Sequence, residues 1–252
     1  MHFAVLGSGS RGNSALVSSS DTRILIDCGF PLRETIRRLA RLGVEPGQLD
    51  AVLVTHEHSD HINGVELLAR HHRIPVYLSA GTLQGMRKPV TPAGLLKCGD
   101  RLVLKDLEVT AVSVSHDARE PLQYVFSDGR KRFGQLTDLG AATAQVLECY
   151  RGLDALIIEA NHDTDMLARG PHPYPLKVRV GVQWGHLNNR QAAELVVQLG
   201  WESLQHLVLA HLSEKNNSPQ LARQSFVDTL GCDPDWLQVA DQHSGLDWRT
   251  IA

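Results

Sequence analysis

Residues 55–61 read Thr-His-Glu-His-Ser-Asp-His, so His56, His58, Asp60 and His61 set four potential metal ligands within a span of six residues. Ala51 to Val54, just before them, is a short apolar β run, and from Ile62 to Ala69 the apolar spacing is helical. The stretch from His56 to His61 is therefore expected as a polar loop at the C-terminal end of a strand, leading directly into a helix. Imidazole and carboxylate donors suit Zn²⁺, Mn²⁺ or Fe²⁺, and a mixed set without thiolates is the pattern of a catalytic site rather than a closed structural one. A merely solvated loop is the competing account.

Three further residues decide against that account. His116 in SVSHDA, Asp138 in GQLTDLG and His211 in LVLAHLSEKNN each close an apolar β run. Strand ends of an α/β chain gather on one side of the sheets, where loops carry function on a rigid scaffold. Each of the three alone reads as a surface residue; following the first cluster, they read as a converging ligand set.

Outward from these residues, β runs are expected at Phe3 to Leu6, Ala15 to Val17, Arg23 to Asp27, Val76 to Leu78, Arg101 to Leu104, Glu108 to Val114, Gln123 to Phe126, Lys131 to Leu136, Ala155 to Ile158 and Leu207 to Ala210. Helices are expected at Pro31 to Leu42, Ala80 to Met86, Ala141 to Cys149, Asn189 to Leu199 and Pro219 to Leu230. Strand meanders followed by helices, twice over, imply two sheets face to face with helices outside. Asp163 to Gln183, with Arg169, His172, Lys177, Arg179 and three prolines, reads as a surface excursion.

A chain of 252 residues can form one domain of this class, and residues 1–252 are expected to do so. With 42% hydrophobic and 21% charged residues, neither a disordered nor a fibrous chain is indicated. The net charge of −3 supplies no global attraction to nucleic acid, though a local basic surface fits within it. Cys28, Cys98, Cys149 and Cys232 are dispersed and form no C-x-x-C pair, as expected of reduced thiols in a reducing compartment. The start MHFAVLGSGSRGNS has neither a basic leader nor an apolar run near the ~20 residues of a membrane span, so a cytoplasmic protein with no membrane partner is expected.

Gly7, Gly9 and Gly12 satisfy G-x-G-x-x-G, with Asp27 at the distance of a dinucleotide-binding acid. That motif must open a helix toward a pyrophosphate, whereas Asn13 to Asp27 reads as strand, turn, strand. A tight glycine turn at the rim of a pocket is the expected structure.

THEHSDH followed in order by His116, Asp138 and His211 resembles the ligand series of the metallo-β-lactamase superfamily over nearly the whole chain. The resemblance implies a four-layer αββα sandwich and two divalent metal ions, Zn²⁺ or alternatively Mn²⁺ or Fe²⁺. The first would be held by His56, His58 and His116, the second by Asp60, His61 and His211, with Asp138 bridging both and a hydroxide between them. Two metals so placed supply a nucleophile at neutral pH and clamp growing negative charge, which is hydrolytic chemistry, and Asp60 would also orient the nucleophile.

Branches of the superfamily separate on further residues. A bridging Asp138 argues against a true β-lactamase, His58 against the flavo-diiron branch, and the short interval from Asp138 to His211 against an inserted nuclease domain. Glu159 in IIEAN with His186 in GHLNN resembles the nuclease branch that includes tRNase Z, where a carboxylate partner favours the imidazolium and fits the histidine as general acid. The blocks GSGSRGNS, LIDCG, THEHSDH, SHDAREP, EANHD, GHLNN and AHLSEKNNSP resemble in order the YycJ/WalJ-like branch. That resemblance implies a DNA exonuclease acting 5′ to 3′ on duplex DNA, with Asp60, Glu159 and His186 catalytic. Asn13, Asn188, Ser213 and Asn216 are expected to offer donors to a substrate phosphate, and Arg169, Lys177 and Arg179 to meet a nucleic-acid backbone. The alternatives are a small-molecule ester, thioester or lactone hydrolase on the same fold, or a regulatory protein that binds metal for stability without turnover.

Overall fold

Strict alternation along the strands decides how this chain stacks, because neighbouring residues face opposite sides of a sheet. The computed structural model describes residues 1–252. Its strands are β1 (His2–Gly7), β2 (Ser14–Ser18), β3 (Arg23–Ile26), β4 (Ala51–Leu53), β5 (Val76–Leu78), β6 (Gly94–Leu95) and β7 (Arg101–Leu104). There follow β8 (Leu107–Ser113), β9 (Leu122–Ser127), β10 (Arg132–Leu136), β11 (Ala155–Glu159), β12 (His206–Ala210), β13 (Leu237–Val239) and β14 (Leu246–Thr250). The helices are α1 (Leu32–Arg41), α2 (Ser59–Ile62), α3 (Val65–His72), α4 (Ala80–Gly85), α5 (Ala144–Cys149), α6 (Thr164–Arg169), α7 (Tyr174–Gly181), α8 (Asn189–Leu199) and α9 (Pro219–Leu230). One sheet has the order β14-β1-β2-β3-β4-β5-β6, the other β13-β12-β11-β10-β9-β8-β7.

Three apolar clusters give the layers. Phe3, Val5, Ile24, Leu53, Val109, Phe126, Phe133 and Ile157 come from both sheets and fill the space between them. The alternate residues of the first sheet, among them Ala4, Leu6, Leu25 and Val52, pack on Leu39, Val65 and Leu68 of α1 and α3. The alternate residues of the second, Leu156, Ile158, Leu207 and Leu209, pack on Val146, Ala192, Val196 and Phe226 of α5, α8 and α9. The fold is therefore an αββα sandwich. No helix is long and apolar enough to cross a membrane, and all four cysteines are free.

Strand direction gathers the site. β3 and β4 are parallel, as are β10, β11 and β12, while β8 reaches the same direction through two antiparallel steps across β9. Asp27, His56, His116, Asp138, Glu159 and His211 consequently leave their strands at one edge of the sandwich.

Local differences from the sequence reading have identifiable causes. The loop expected from His56 to His61 tightens into α2 over Ser59–Ile62. The helix expected from Ile62 starts instead at Val65, because the Gly64 N–H is drawn 2.8 Å from the Cys28 carbonyl. Thr143 caps α5 through the Val146 N–H, so that helix begins three residues later than the apolar spacing suggests. Strands β6, β13 and β14 were not anticipated. The excursion of residues 163–183 contains two helices, and α7 buries none of its residues. The glycine turn leads into β2 rather than a helix, with Gly9 and Gly12 at φ 148° and 156°.

Candidate active site and metal centre

His56, His58 and His116 bring one ligand atom each to within 4.8 Å of one another, and Asp60, His61 and His211 form a second such group. Asp138 lies between them: its Oδ2 is 3.4 Å from His61 Nε2, and its Oδ1 is 3.5 Å from His211 Nε2 and 3.9 Å from His116 Nε2. All seven residues expected as ligands thus meet in one place.

The backbone is strained to bring them there. Asp27, Asp138 and His211 have φ of 57°, 55° and 54°, a left-handed conformation that costs a non-glycine residue about 1 kcal/mol or more. Surrounding bonds hold it. The Ser8 hydroxyl accepts the His211 N–H at 2.8 Å, Asn161 Nδ2 donates to the His211 carbonyl at 3.0 Å, and the Glu159 carboxylate accepts the Asp138 N–H at 3.1 Å.

Ring orientation follows from the outer hydrogen bonds. His61 donates from Nδ1 to Asp27 at 2.8 Å and His116 from Nδ1 to the Gly185 carbonyl at 3.1 Å, which turns both Nε2 atoms toward the cluster. His58 turns Nδ1 inward, 3.3 Å from His116 Nε2, with its Nε2 3.6 Å from Asp117.

Electrostatics and satisfaction both call for cations here. His56 Nε2, His211 Nε2 and Asp138 Oδ2 are buried with no hydrogen-bond partner, a condition native proteins avoid unless another ligand is bound. Burial opposes charge on Asp60 and Asp138, yet the facing histidines hold Asp60 down to about 2 and Asp138 well below the usual carboxylate range. Conversely, although burial disfavours imidazolium, the carboxylates hold His61 well above its ordinary value and His211 up to about 10. His56, where burial dominates, is pushed well below the ordinary value and is a neutral ligand in waiting. Negative charge this concentrated fits divalent cations, whose binding would release the protons from His61 and His211. The donor set, imidazole and carboxylate only, suits Zn²⁺, Mn²⁺ or Fe²⁺.

A cleft of about 400 Å³ opens over the cluster, lined in part by Asp60, Asp138, His186 and His211. His186 stands midway, its ring centroid 5.2 Å from those of both His116 and His211. Its Nδ1 donates to Glu159 at 3.0 Å. Glu159 is wholly buried and also accepts the Leu139 and Leu187 N–H groups at 3.2 and 2.8 Å. Burial would raise its pKa, but His186 and His211 hold it down to about 2.

The residues expected to meet a substrate phosphate are placed differently. Asn13 sits behind the metal ligands, its Nδ2 3.3 Å from Asp60 Oδ2 and its Oδ1 accepting from Ser8 and Gly9. Asn188 caps α8 in a reciprocal box with Gln191. Ser213 lines an adjoining pocket of about 420 Å³, and Asn216 is buried with Nδ2 directed at Ser213. Arg179 does line the cleft, where it is paired with Asp117. Two residues not singled out as parts of the site belong to it, Asp27 and Asp117. Asp27 follows an apolar β run as Asp138 does, and that same signal would have found it.

A β-lactamase superfamily domain model matches residues 22–212, three quarters of the chain. The chain belongs to the metallo-β-lactamase superfamily. Within the superfamily it is 34% identical over 235 residues to the exodeoxyribonuclease YycJ of Bacillus anthracis, covering 91% of this chain and 89% of that one. It is also 34% identical over 254 residues to the exodeoxyribonuclease WalJ of Streptococcus pneumoniae strain D39, covering 98% and 92%. The metallo-β-lactamase fold protein YhfI of Bacillus subtilis superposes with a TM-score of 0.78 at 18% identity over 98% of each chain. This metallo-β-lactamase-fold chain is thus a metal-dependent hydrolase of the YycJ/WalJ branch.

Proposed function

We propose that the chain is a phosphodiesterase acting on nucleic acid, a DNA exonuclease that degrades duplex DNA in the 5′ to 3′ direction. The observation that carries this reading is the Glu159–His186 pair, a histidine held at 3.0 Å by a buried carboxylate and presented to the cleft between the two ligand groups. A phosphodiester expels an alkoxide that needs a proton as it leaves, and a histidine held in this way stands where it can supply one. The relatives YycJ and WalJ are named exodeoxyribonucleases, which supports the same substrate class.

His56, His58 and His116 would hold one divalent cation and Asp60, His61 and His211 the other, with Asp138 shared. Two cations there would supply Lewis acidity, lowering the pKa of water and neutralising phosphate charge. The chain's own groups do the rest. Asp60, with one edge open to the cleft, accepts a hydrogen bond from the attacking water and orients it. His186, fixed through Nδ1, presents Nε2 to a phosphoryl or leaving oxygen and hands over a proton there. Glu159, locked by three backbone N–H groups, keeps that ring from turning away.

The test is digestion of end-labelled duplex DNA, single-stranded DNA and RNA by metal-stripped protein with Zn²⁺ or Mn²⁺ restored. Metal-dependent shortening of duplex from the 5′ end, slowed by about 10²-fold or more in His186→Ala, is expected. Absence of cleavage of every nucleic acid would sink the reading in favour of a small-molecule ester substrate.

A further inference from the structure

Five of the chain's nine exposed large hydrophobic side chains, Tyr174, Leu176, Val178, Val182 and Trp184, fall in the stretch 174–184, whose Leu176, Arg179 and Val180 line the cleft. The chain has 13 Phe, Trp and Tyr residues, and Tyr174 and Trp184, at 78% and 53% exposure, are the two that stand in solvent. Core packing does not account for them, since α7 buries no residue. Apolar surface of this kind, beside a catalytic cleft, marks a place where something binds.

The backbone carrying Trp184 is nonetheless fixed. The Gln183 carbonyl accepts the Ser115 hydroxyl at 2.8 Å, the Gly185 carbonyl accepts His116 Nδ1 at 3.1 Å, and the His186 N–H donates to the Val180 carbonyl at 2.9 Å. Trp184 therefore sits between two carbonyls bonded to the His116 segment, two residues before His186. Its position relative to the reacting centre is set by the metal-site loops themselves. Arg179 lines the same cleft, and Lys177 and Arg169 lie on the same excursion.

We propose that Trp184, with Tyr174 on the same excursion, offers a stacking face to an unpaired nucleobase of the strand being cut, with Arg179 leaving Asp117 to meet the adjoining phosphate. The proposal rests on the phosphodiesterase reading and adds a subsite to it. A nucleic-acid strand presents alternating flat apolar bases and charged phosphates, and this segment presents flat aromatic side chains interleaved with cations. A second copy docking this patch on itself would bury the apolar side chains but set Arg169, Lys177 and Arg179 of the two copies against one another.

The experiment compares kcat/KM of the metal-loaded protein on two duplex deoxyoligonucleotides whose cut strand carries a short unpaired 5′ end, one intact and one abasic at the two terminal nucleotides of that end. The intact oligonucleotide is expected to be preferred by about five- to a hundredfold, and Trp184→Ala and Tyr174→Ala to erode that preference while leaving the abasic rate unchanged. Trp184→Phe should restore most of it. Equal losses on both oligonucleotides, or none on either, would overturn the platform, as would a change of molar mass in solution on Trp184→Ala, which would assign the patch to a second copy. If the wild-type protein cleaves no nucleic acid, the phosphodiesterase reading fails with the platform; if it cleaves and the variants match it, the platform alone fails.

Discussion

Asp27 Oδ2 and His61 Nδ1 lie 2.8 Å apart, both side chains fully buried beneath the ligand cluster. The same carboxylate takes the Thr55 N–H and hydroxyl, each at 2.8 Å, so Asp27 fixes the strand end and the ring together. His61 thereby points Nε2 at Asp60 and Asp138. Asp27→Asn keeps the shape and removes the charge, and metal affinity is expected to fall by about 10- to 100-fold in chelator competition. Unchanged affinity would reduce Asp27 to a prop for the fold.

Asp138 faces both ligand groups from a fully buried position, with Oδ2 unpartnered. In Asp138→Ala, bound metal measured by atomic absorption should drop from two equivalents per chain to one or fewer. Turnover should fall by roughly a hundredfold or more, beyond the loss expected from an outer partner. Full metal content with full activity in this variant would refute a shared carboxylate.

Much of this site was legible because metal binding restricts both residue type and spacing: His56, His58, Asp60 and His61 announce themselves within six residues, and strand-end position links His116, Asp138 and His211 to them. Helices α8 and α9 were readable to the residue, since Asn188 and Ser218 cap their starts and glycines follow their ends. What stayed hidden depends on partners remote in sequence. Strand β14 exists through pairing of Thr250 with His2, which no local pattern encodes. An asparagine amide can serve substrate or structure equally well, and only the contact of Asn13 with Asp60, 47 residues on, decides where it points. The pairing of Asp117 with Arg179 is of the same kind.

Gly29 is required by close approach rather than by its dihedral angles. A Cβ there would overlap the Asp60 carbonyl, which itself accepts the Asn13 N–H at 2.8 Å, while Cys28 N–H donates to the His61 carbonyl at 2.8 Å. These bonds lace α2 to the first sheet. Gly29→Ala must displace backbone, and a loss of about 1–3 kcal/mol in urea unfolding is expected together with weaker metal binding. A stability equal to wild type would show that α2 can move without consequence.

His162 offers a test away from the metal ligands. The residue is 3% exposed, and burial, outweighing the attraction of nearby Glu159, pushes its pKa down to about 4. The folded chain thus resists a proton that the unfolded chain takes up near the ordinary histidine value of about 6.5. The stabilisation is complete above about pH 6.5 and is lost as pH falls toward about 4, amounting to roughly 3 kcal/mol across that window. His162→Gln cannot take up that proton, so its unfolding free energy should decline less steeply over the same window by about this amount. The comparison needs urea melts of both proteins under identical metal loading, so that ligand protonation cancels. Parallel curves would mean that His162 meets water in the native state, and that the packing of EANHD against α8 is looser than the 2.9 Å bond from the Asn189 N–H to the His162 carbonyl implies.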